Sequence, residues 1–112
     1  MNQSPTSVPT ITVDTLKERL DGDHPPLLVD VREDDEWTAS HITGATHVPL
    51  ASLPTRLGDL DAGRPVVFIC HLGARSERAA LFALRSGRGD VASVEGGMDS
   101  WSGRGYPTAT GA

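Results

Sequence analysis

The residues of this chain best suited to chemistry lie together in Cys70-His71-Leu72-Gly73-Ala74-Arg75-Ser76, a stretch that holds its single cysteine. A cysteine thiolate is a strong nucleophile, and the surrounding backbone decides how much of it forms. None of His71, Leu72, Gly73, Ala74 or Arg75 is proline, so each offers an N–H. Gly73 can adopt positive φ and lets the run curl. A curled run of N–H groups leading into a helix start is an anion cradle, and its positive field favours charged sulfur. Arg75, His71 and Arg78 add cationic character nearby. Ser76 is placed to cap the helix or to hydrogen-bond the sulfur. The competing reading is a buried cysteine packed inertly as a small apolar residue. Gly73 and Arg75 in a proline-free turn favour the reactive one.

The flanking segments must position that loop. Pro65-Val66-Val67-Phe68-Ile69 is an apolar, β-branched run without alternation, which predicts a parallel strand covered on both faces. Ser76 to Leu84 reads as a helix with Ala79, Phe82, Ala83 and Ser86 on one face. Cys70 therefore stands at the carboxyl end of a strand, the edge where open α/β sheets bind ligands. Leu27-Leu28-Val29-Asp30-Val31 is a second strand of the same kind, and Asp30 should reach the same edge. Its expected role is structural, supporting the loop or pairing with an arginine. Thr10 to Thr12, Thr46 to Pro49 and Val91 to Val94 read as shorter strands. Thr12 is a candidate cap for a helix over Val13 to Leu20, with Leu16 and Leu20 on one face. One helical turn is expected within Arg32 to Trp37, a short helix interrupted by Pro54 over Ala51 to Leu57, and a last helix over Met98 to Ser102. Strands alternating with helices predict an α/β sheet with right-handed crossovers.

At 112 residues the chain has room for one domain and one core. The expected organisation is a flexible N-terminal tail over 1–9, a single domain over 10–107 and a flexible tail over 108–112. A net charge of -5 argues against a nucleic-acid surface. One cysteine excludes an internal disulfide and fits a reducing compartment. Neither a signal peptide nor an apolar run of spanning length is visible, so no membrane is involved and a cytoplasmic protein is expected. His24, His41, His47 and His71 show no metal-ligand spacing with Cys70, and no metal or organic cofactor is expected.

The loop Cys-x-x-Gly-x-Arg-Ser after an apolar strand resembles the active-site loop of rhodanese-type sulfurtransferases. Further stretches carry the same resemblance. Val29-Asp30-Val31-Arg32 is similar to the end of the family's second strand. Glu36-Trp37-Thr38-Ala39-Ser40-His41-Ile42-Thr43-Gly44-Ala45 resembles its Glu-aromatic-x-x-Gly-His-Ile-x-Gly-Ala stretch, with Ser40 in place of glycine and Thr43 in place of proline. Glu95-Gly96-Gly97 with Trp101, and Gly105-Tyr106-Pro107, resemble its closing stretches, so the match runs from about Ile11 to Pro107.

The resemblance implies a rhodanese-like α/β fold: a central, mostly parallel five-stranded sheet flanked by helices on both faces. It implies that Cys70 accepts a sulfane sulfur from thiosulfate or a persulfide and passes it to a thiol or cyanide. His71, Leu72, Gly73, Ala74, Arg75 and Ser76 would form the anion-binding loop, supported by Asp30, Arg32 and Glu36. Arg75 has two uses open to it: facing the substrate anion, or holding an acid such as Asp30 or Glu36. Two other readings stand beside this one. The first is a non-enzymatic sulfur-relay module whose partner is another protein. The second is a cysteine-dependent phosphatase or arsenate reductase, although only four residues separate Cys70 from Arg75, one fewer than in the phosphatases.

Overall fold

The computed structural model describes residues 5–112. Five strands form one sheet: β1 (Thr10–Ile11), β2 (Leu27–Asp30), β3 (Thr46–His47), β4 (Val66–Ile69) and β5 (Val91–Val94), in the order β1-β5-β4-β2-β3. Every pairing within it is parallel. Five helices connect or follow them: α1 (Val13–Leu20), α2 (Asp34–Ala39), α3 (Leu53–Arg56), α4 (Ala74–Arg85) and α5 (Gly97–Gly103).

The sheet is covered on both faces, and the side-chain alternation of β4 shows how. Val66, Phe68 and Cys70 pack with Leu53, Ala79, Ala80 and Ala83, beneath α3 and α4. Val67 and Ile69 pack with Val13, Leu16, Met98 and Trp101, beneath α1 and α5. This explains why β2 and β4 read as unbroken apolar runs. The Thr12 hydroxyl accepts from Thr15 N–H at 3.1 Å and caps α1 as expected.

Several local expectations need correction. Helix α4 begins at Ala74 rather than Ser76, so its first turn belongs to the cysteine loop. Phe82 is 37% exposed; the inner face of α4 is Ser76, Ala79, Ala80 and Ala83, whose small side chains let the helix lie close on the sheet. Pro54 does not interrupt a helix but stands in the first turn of α3, where its missing N–H has no intrahelical acceptor to lose. Of the expected N-terminal tail, Met1 to Ser4 lie outside the described residues. Within 5–9, Pro9 carbonyl accepts from Ser93 N–H at 3.0 Å, and Val8 packs on the core. In 108–112 an antiparallel bridge joins Ala109 to His41, and Gly111 N–H donates to Thr38 carbonyl at 2.8 Å. Among the described residues, no helix is long and apolar enough to cross a membrane.

Candidate active site

Cys70 follows β4 directly and its side chain continues the β4 face that α4 covers, so its sulfur meets the N-terminus of that helix. Gly73 N–H donates to Cys70 Sγ at 3.1 Å and Ser76 N–H at 3.3 Å. The Ser76 hydroxyl lies 3.4 Å from the same sulfur. Gly73, at φ +124°, makes the curl that aims these groups inward. Cys70 itself is 1% exposed. An inert cysteine of that burial would be wrapped in apolar atoms; this one receives directed polar contacts suited to negative charge on sulfur. The N–H groups of Ala74 and Arg75, in the first turn of α4, have no intrahelical acceptor.

The carbonyl side of the loop is pinned by α5. Met98 N–H donates to Cys70 carbonyl at 2.8 Å and Asp99 N–H to His71 carbonyl at 3.0 Å. In a trans peptide the N–H points opposite its carbonyl, so holding these two carbonyls outward turns the N–H groups of His71 and Leu72 the other way. Such close approach needs glycine: a Cβ on Gly97 would lie 2.2 Å from Cys70 carbonyl oxygen.

Arg75 braces the loop. Its guanidinium makes a two-point pair with Glu36, Nη1 to Oε1 at 2.7 Å and Nη2 to Oε2 at 2.9 Å. Glu36 is itself fixed, because it closes the capping box of α2 and accepts from Glu33 N–H at 3.0 Å. The hydrogen bond from Arg75 holds the Glu36 carboxyl down at about 2, against the opposing effect of burial, and Glu36 in turn raises Arg75. Beneath them lies a buried pair: Arg32 Nη2 and Asp30 Oδ2 are 2.8 Å apart, and Arg32 also donates to the carbonyls of Glu36 and Ser40. Asp30 stands beside Ile69 in the sheet register, next to Cys70 in the chain. Support therefore runs from Asp30 through Arg32 to α2, through Glu36 to Arg75, and into the loop. Trp37, also on α2, stacks between His41 and His47, at centroid distances of 3.8 and 4.7 Å.

The brace has a definite pH dependence. Glu36 is ordinarily half-ionised near 4.5 but near 2 in the fold, so its contribution is complete above about 4.5 and disappears as pH falls through about 2. A part-exposed pair contributes about 1 kcal/mol. The urea stability lost in Glu36→Gln should be constant from pH 8 to 5 and shrink toward pH 2. Arg75→Lys keeps the charge but not the planar fork. Each variant should slow the alkylation of Cys70 by iodoacetamide about fivefold, and the double variant should be no worse than either, because the two act as a unit. Unchanged kinetics in all three would place the pair outside the working site.

His71 and Leu72 form the exposed rim of the loop, Leu72 being 64% exposed. Beside it an open groove of about 340 Å³ runs between α2 and α5, walled by Glu36, Ser40, His71, Met98, Asp99 and Ser102. Sequence reasoning did not single out Ser93, on β5. It is fully buried, and its hydroxyl lies 2.7 Å from that of Ser76. Its one signal in the sequence is a hydroxyl inside the otherwise apolar run Val91-Ala92-Ser93-Val94.

Comparison with known proteins agrees with this architecture. The family model for the rhodanese-like domain matches residues 12–104. A Bacillus subtilis protein provisionally named a sulfurtransferase, YtwF, is 36% identical over 97 residues, covering 87% of this chain and 93% of its own. Another from the same organism, YrkF, provisionally named a sulfur carrier, is 34% identical over 103 residues; the match takes in 92% of this chain but 56% of that protein. The crystal structure of a rhodanese-related protein from Thermoplasma volcanium superimposes with a TM-score of 0.83 at 29% identity, covering 90% of this chain and 97% of that one. With the family model matching most of its length and a solved relative superimposing over 90% of it, the chain belongs to the rhodanese-like domain family.

Proposed function

We propose that this protein is a sulfurtransferase that carries sulfane sulfur on Cys70. The observation that carries the reading is the pair of N–H groups, from Gly73 and Ser76, directed at Cys70 Sγ at the start of α4. In the first half-reaction the Cys70 thiolate attacks the outer sulfur of thiosulfate. A bond forms between Sγ and that sulfur, the sulfur–sulfur bond of the donor breaks, and sulfite leaves with the electron pair. A persulfide donor reacts in the same way and leaves as a thiolate. The cradle N–H groups of His71, Leu72, Ala74 and Arg75 then stabilise the terminal persulfide sulfur, which carries the charge. In the second half-reaction cyanide or a thiolate attacks this terminal sulfur, leaves as thiocyanate or a persulfide, and returns Cys70 as the thiolate. With Arg75 engaged by Glu36, the donor anion meets backbone N–H groups first. The depth of Cys70 favours slender reagents, and a reducing, cytoplasmic compartment suits its free thiol. Incubation with thiosulfate should add the mass of one sulfur to the intact protein, and cyanide should remove it. A protein that never acquires the adduct from thiosulfate or from a persulfide is not a sulfurtransferase.

A relay role is favoured by one feature, the apolar Leu72 held out from the loop that carries the sulfur. It would offer a contact to a protein acceptor, in keeping with the sulfur-carrier name of YrkF. Steady-state turnover separates the two: a relay module loads once and turns over poorly with small acceptors.

Phosphate chemistry fits the loop less well. Four residues separate Cys70 from Arg75, and consecutive Cα atoms stay about 3.8 Å apart, so one residue fewer draws a tighter ring. A tight ring holds one terminal sulfur; a phosphate must also seat three oxygens. A phosphomonoester further needs a proton donor for its leaving group, which sulfite does not. The wild type should form thiocyanate from thiosulfate and cyanide while barely hydrolysing aryl phosphates, and a glycine inserted after Gly73 should depress sulfur transfer. Efficient, Cys70-dependent hydrolysis of aryl phosphate would reverse the assignment.

A further inference from the structure

The buried hydroxyls behind the cysteine have a direction that their partners dictate. Ser76 Oγ lies 3.0 Å from Gly73 carbonyl oxygen, 2.7 Å from Ser93 Oγ and 3.4 Å from Cys70 Sγ. It has one proton for three neighbours. Ser93 is buried in β5 beneath α4, and Ser76 is the partner of its hydroxyl among the described residues. A buried hydroxyl proton without an acceptor is costly, so the Ser93 proton goes to Ser76 Oγ. The Ser76 proton is then free for one of two acceptors, Gly73 carbonyl or the sulfur.

The choice between them follows the state of Cys70. As a thiol, Cys70 donates its own proton to Ser76 Oγ, and Ser76 donates to Gly73 carbonyl. As a thiolate, or as a persulfide whose inner sulfur has no proton, Sγ is only an acceptor. The Ser76 hydroxyl can then turn to it as a third donor, beside the N–H groups of Gly73 and Ser76. Donation from Ser93 polarises the Ser76 O–H and strengthens what it gives to the sulfur. Without Ser93, that polarisation is gone.

From this geometry we infer that Ser93 is a positioning residue for the reactive sulfur: it sets a one-way hydroxyl chain, Ser93 to Ser76 to Cys70, that favours the deprotonated and sulfur-loaded forms. The inference deepens the sulfurtransferase reading of the same site. It is tested by alkylation, which needs no sulfur donor, so its failure and the failure of sulfur transfer are read separately.

The experiment is the rate of Cys70 alkylation by iodoacetamide against pH, in the full chain. One hydrogen bond to the sulfur corresponds to about a two- to tenfold effect. Ser93→Ala should slow alkylation by that factor at neutral and acidic pH and converge on the wild-type rate at alkaline pH, where the thiol is ionised in both proteins. A merely loosened core would change access at every pH alike. Ser76→Ala should slow the reaction at least as much, and Ser93→Ala added to it should do nothing more, because Ser93 acts through Ser76. The near-isosteric pair Ser93→Thr and Ser93→Val gives a second reading if the alanine variant folds poorly: threonine keeps the wild-type profile and valine loses it. Arg32 after β2, Glu36 of α2, Arg75 of α4, His71 of the loop and Asp99 of α5, charged and titratable groups around the loop, are the same in every variant. Wild-type rates in Ser93→Ala or Ser93→Val, or a Ser93 effect that survives in the Ser76→Ala background, would overturn the inference.

Discussion

Cys70→Ser is expected to abolish sulfur loading: no mass gain with thiosulfate, and thiocyanate formed no faster than without protein. A serine hydroxyl stays protonated at neutral pH and cannot hold a sulfane sulfur, so both half-reactions fail together. The fold should survive. Serine is smaller than cysteine, and its oxygen would keep the donors that now serve the sulfur, Gly73 N–H and Ser76 N–H. The change in stability should stay within about 1 kcal/mol, measured by urea unfolding. The cradle should still bind anions, so thiosulfate should shift the melting temperature of the variant as it shifts that of the wild type. Loss of activity with the fold and the anion site intact would assign the chemistry to one atom. A fully active Cys70→Ser protein would end the sulfur-carrier reading.

Much of the frame was legible because the sheet is parallel and covered on both sides. That makes β2 and β4 continuous apolar runs, and the residue that directly follows β4 is the cysteine. The Thr12 cap was equally plain, since a threonine ahead of an amphipathic run has little else to do. What escaped depends on distance or crowding. Phe82 shares a helical face with Ala79 and Ala83 by spacing, but the face that turns to the sheet is centred on Ser76, Ala79, Ala80 and Ala83 and leaves Phe82 37% exposed. Ala74 and Arg75 carry no capping signal, because the helix start is made by Gly73 at φ +124° rather than by a side chain. The partner of Arg75 was open between Asp30 and Glu36. Only the third dimension shows that Arg32 has already engaged Asp30. Ser93 and Ser76 are seventeen residues apart, and nothing local in either segment announces that their hydroxyls meet.

Gly97→Ala should be the most damaging change outside the cysteine itself. Two effects combine. At φ +49° an alanine sits in the left-handed region, at a cost of about 1 to 2 kcal/mol. Its Cβ would also stand 2.2 Å from Cys70 carbonyl oxygen and 2.7 Å from His71 carbonyl oxygen. These are backbone atoms that cannot rotate aside. Helix α5 must withdraw, and the bonds from Met98 N–H to Cys70 carbonyl and from Asp99 N–H to His71 carbonyl are lost, at about 1 kcal/mol each. The sum, about 3 to 4 kcal/mol, is a large part of what a domain of this size has to lose. Activity should fall further than stability alone would dictate, by about a hundredfold at a temperature where the variant is still folded. With their carbonyls released, the peptides of His71 and Leu72 no longer hold their N–H groups toward the persulfide. Gly44→Ala is the control, because Gly44 has φ +89° with nothing within 4 Å of an added Cβ. It carries the conformational cost without the collision, so it should lose about 1 to 2 kcal/mol in urea unfolding and keep its kcat/KM. If Gly97→Ala behaves like Gly44→Ala, destabilised but fully active, then α5 packs against the cysteine loop without organising it.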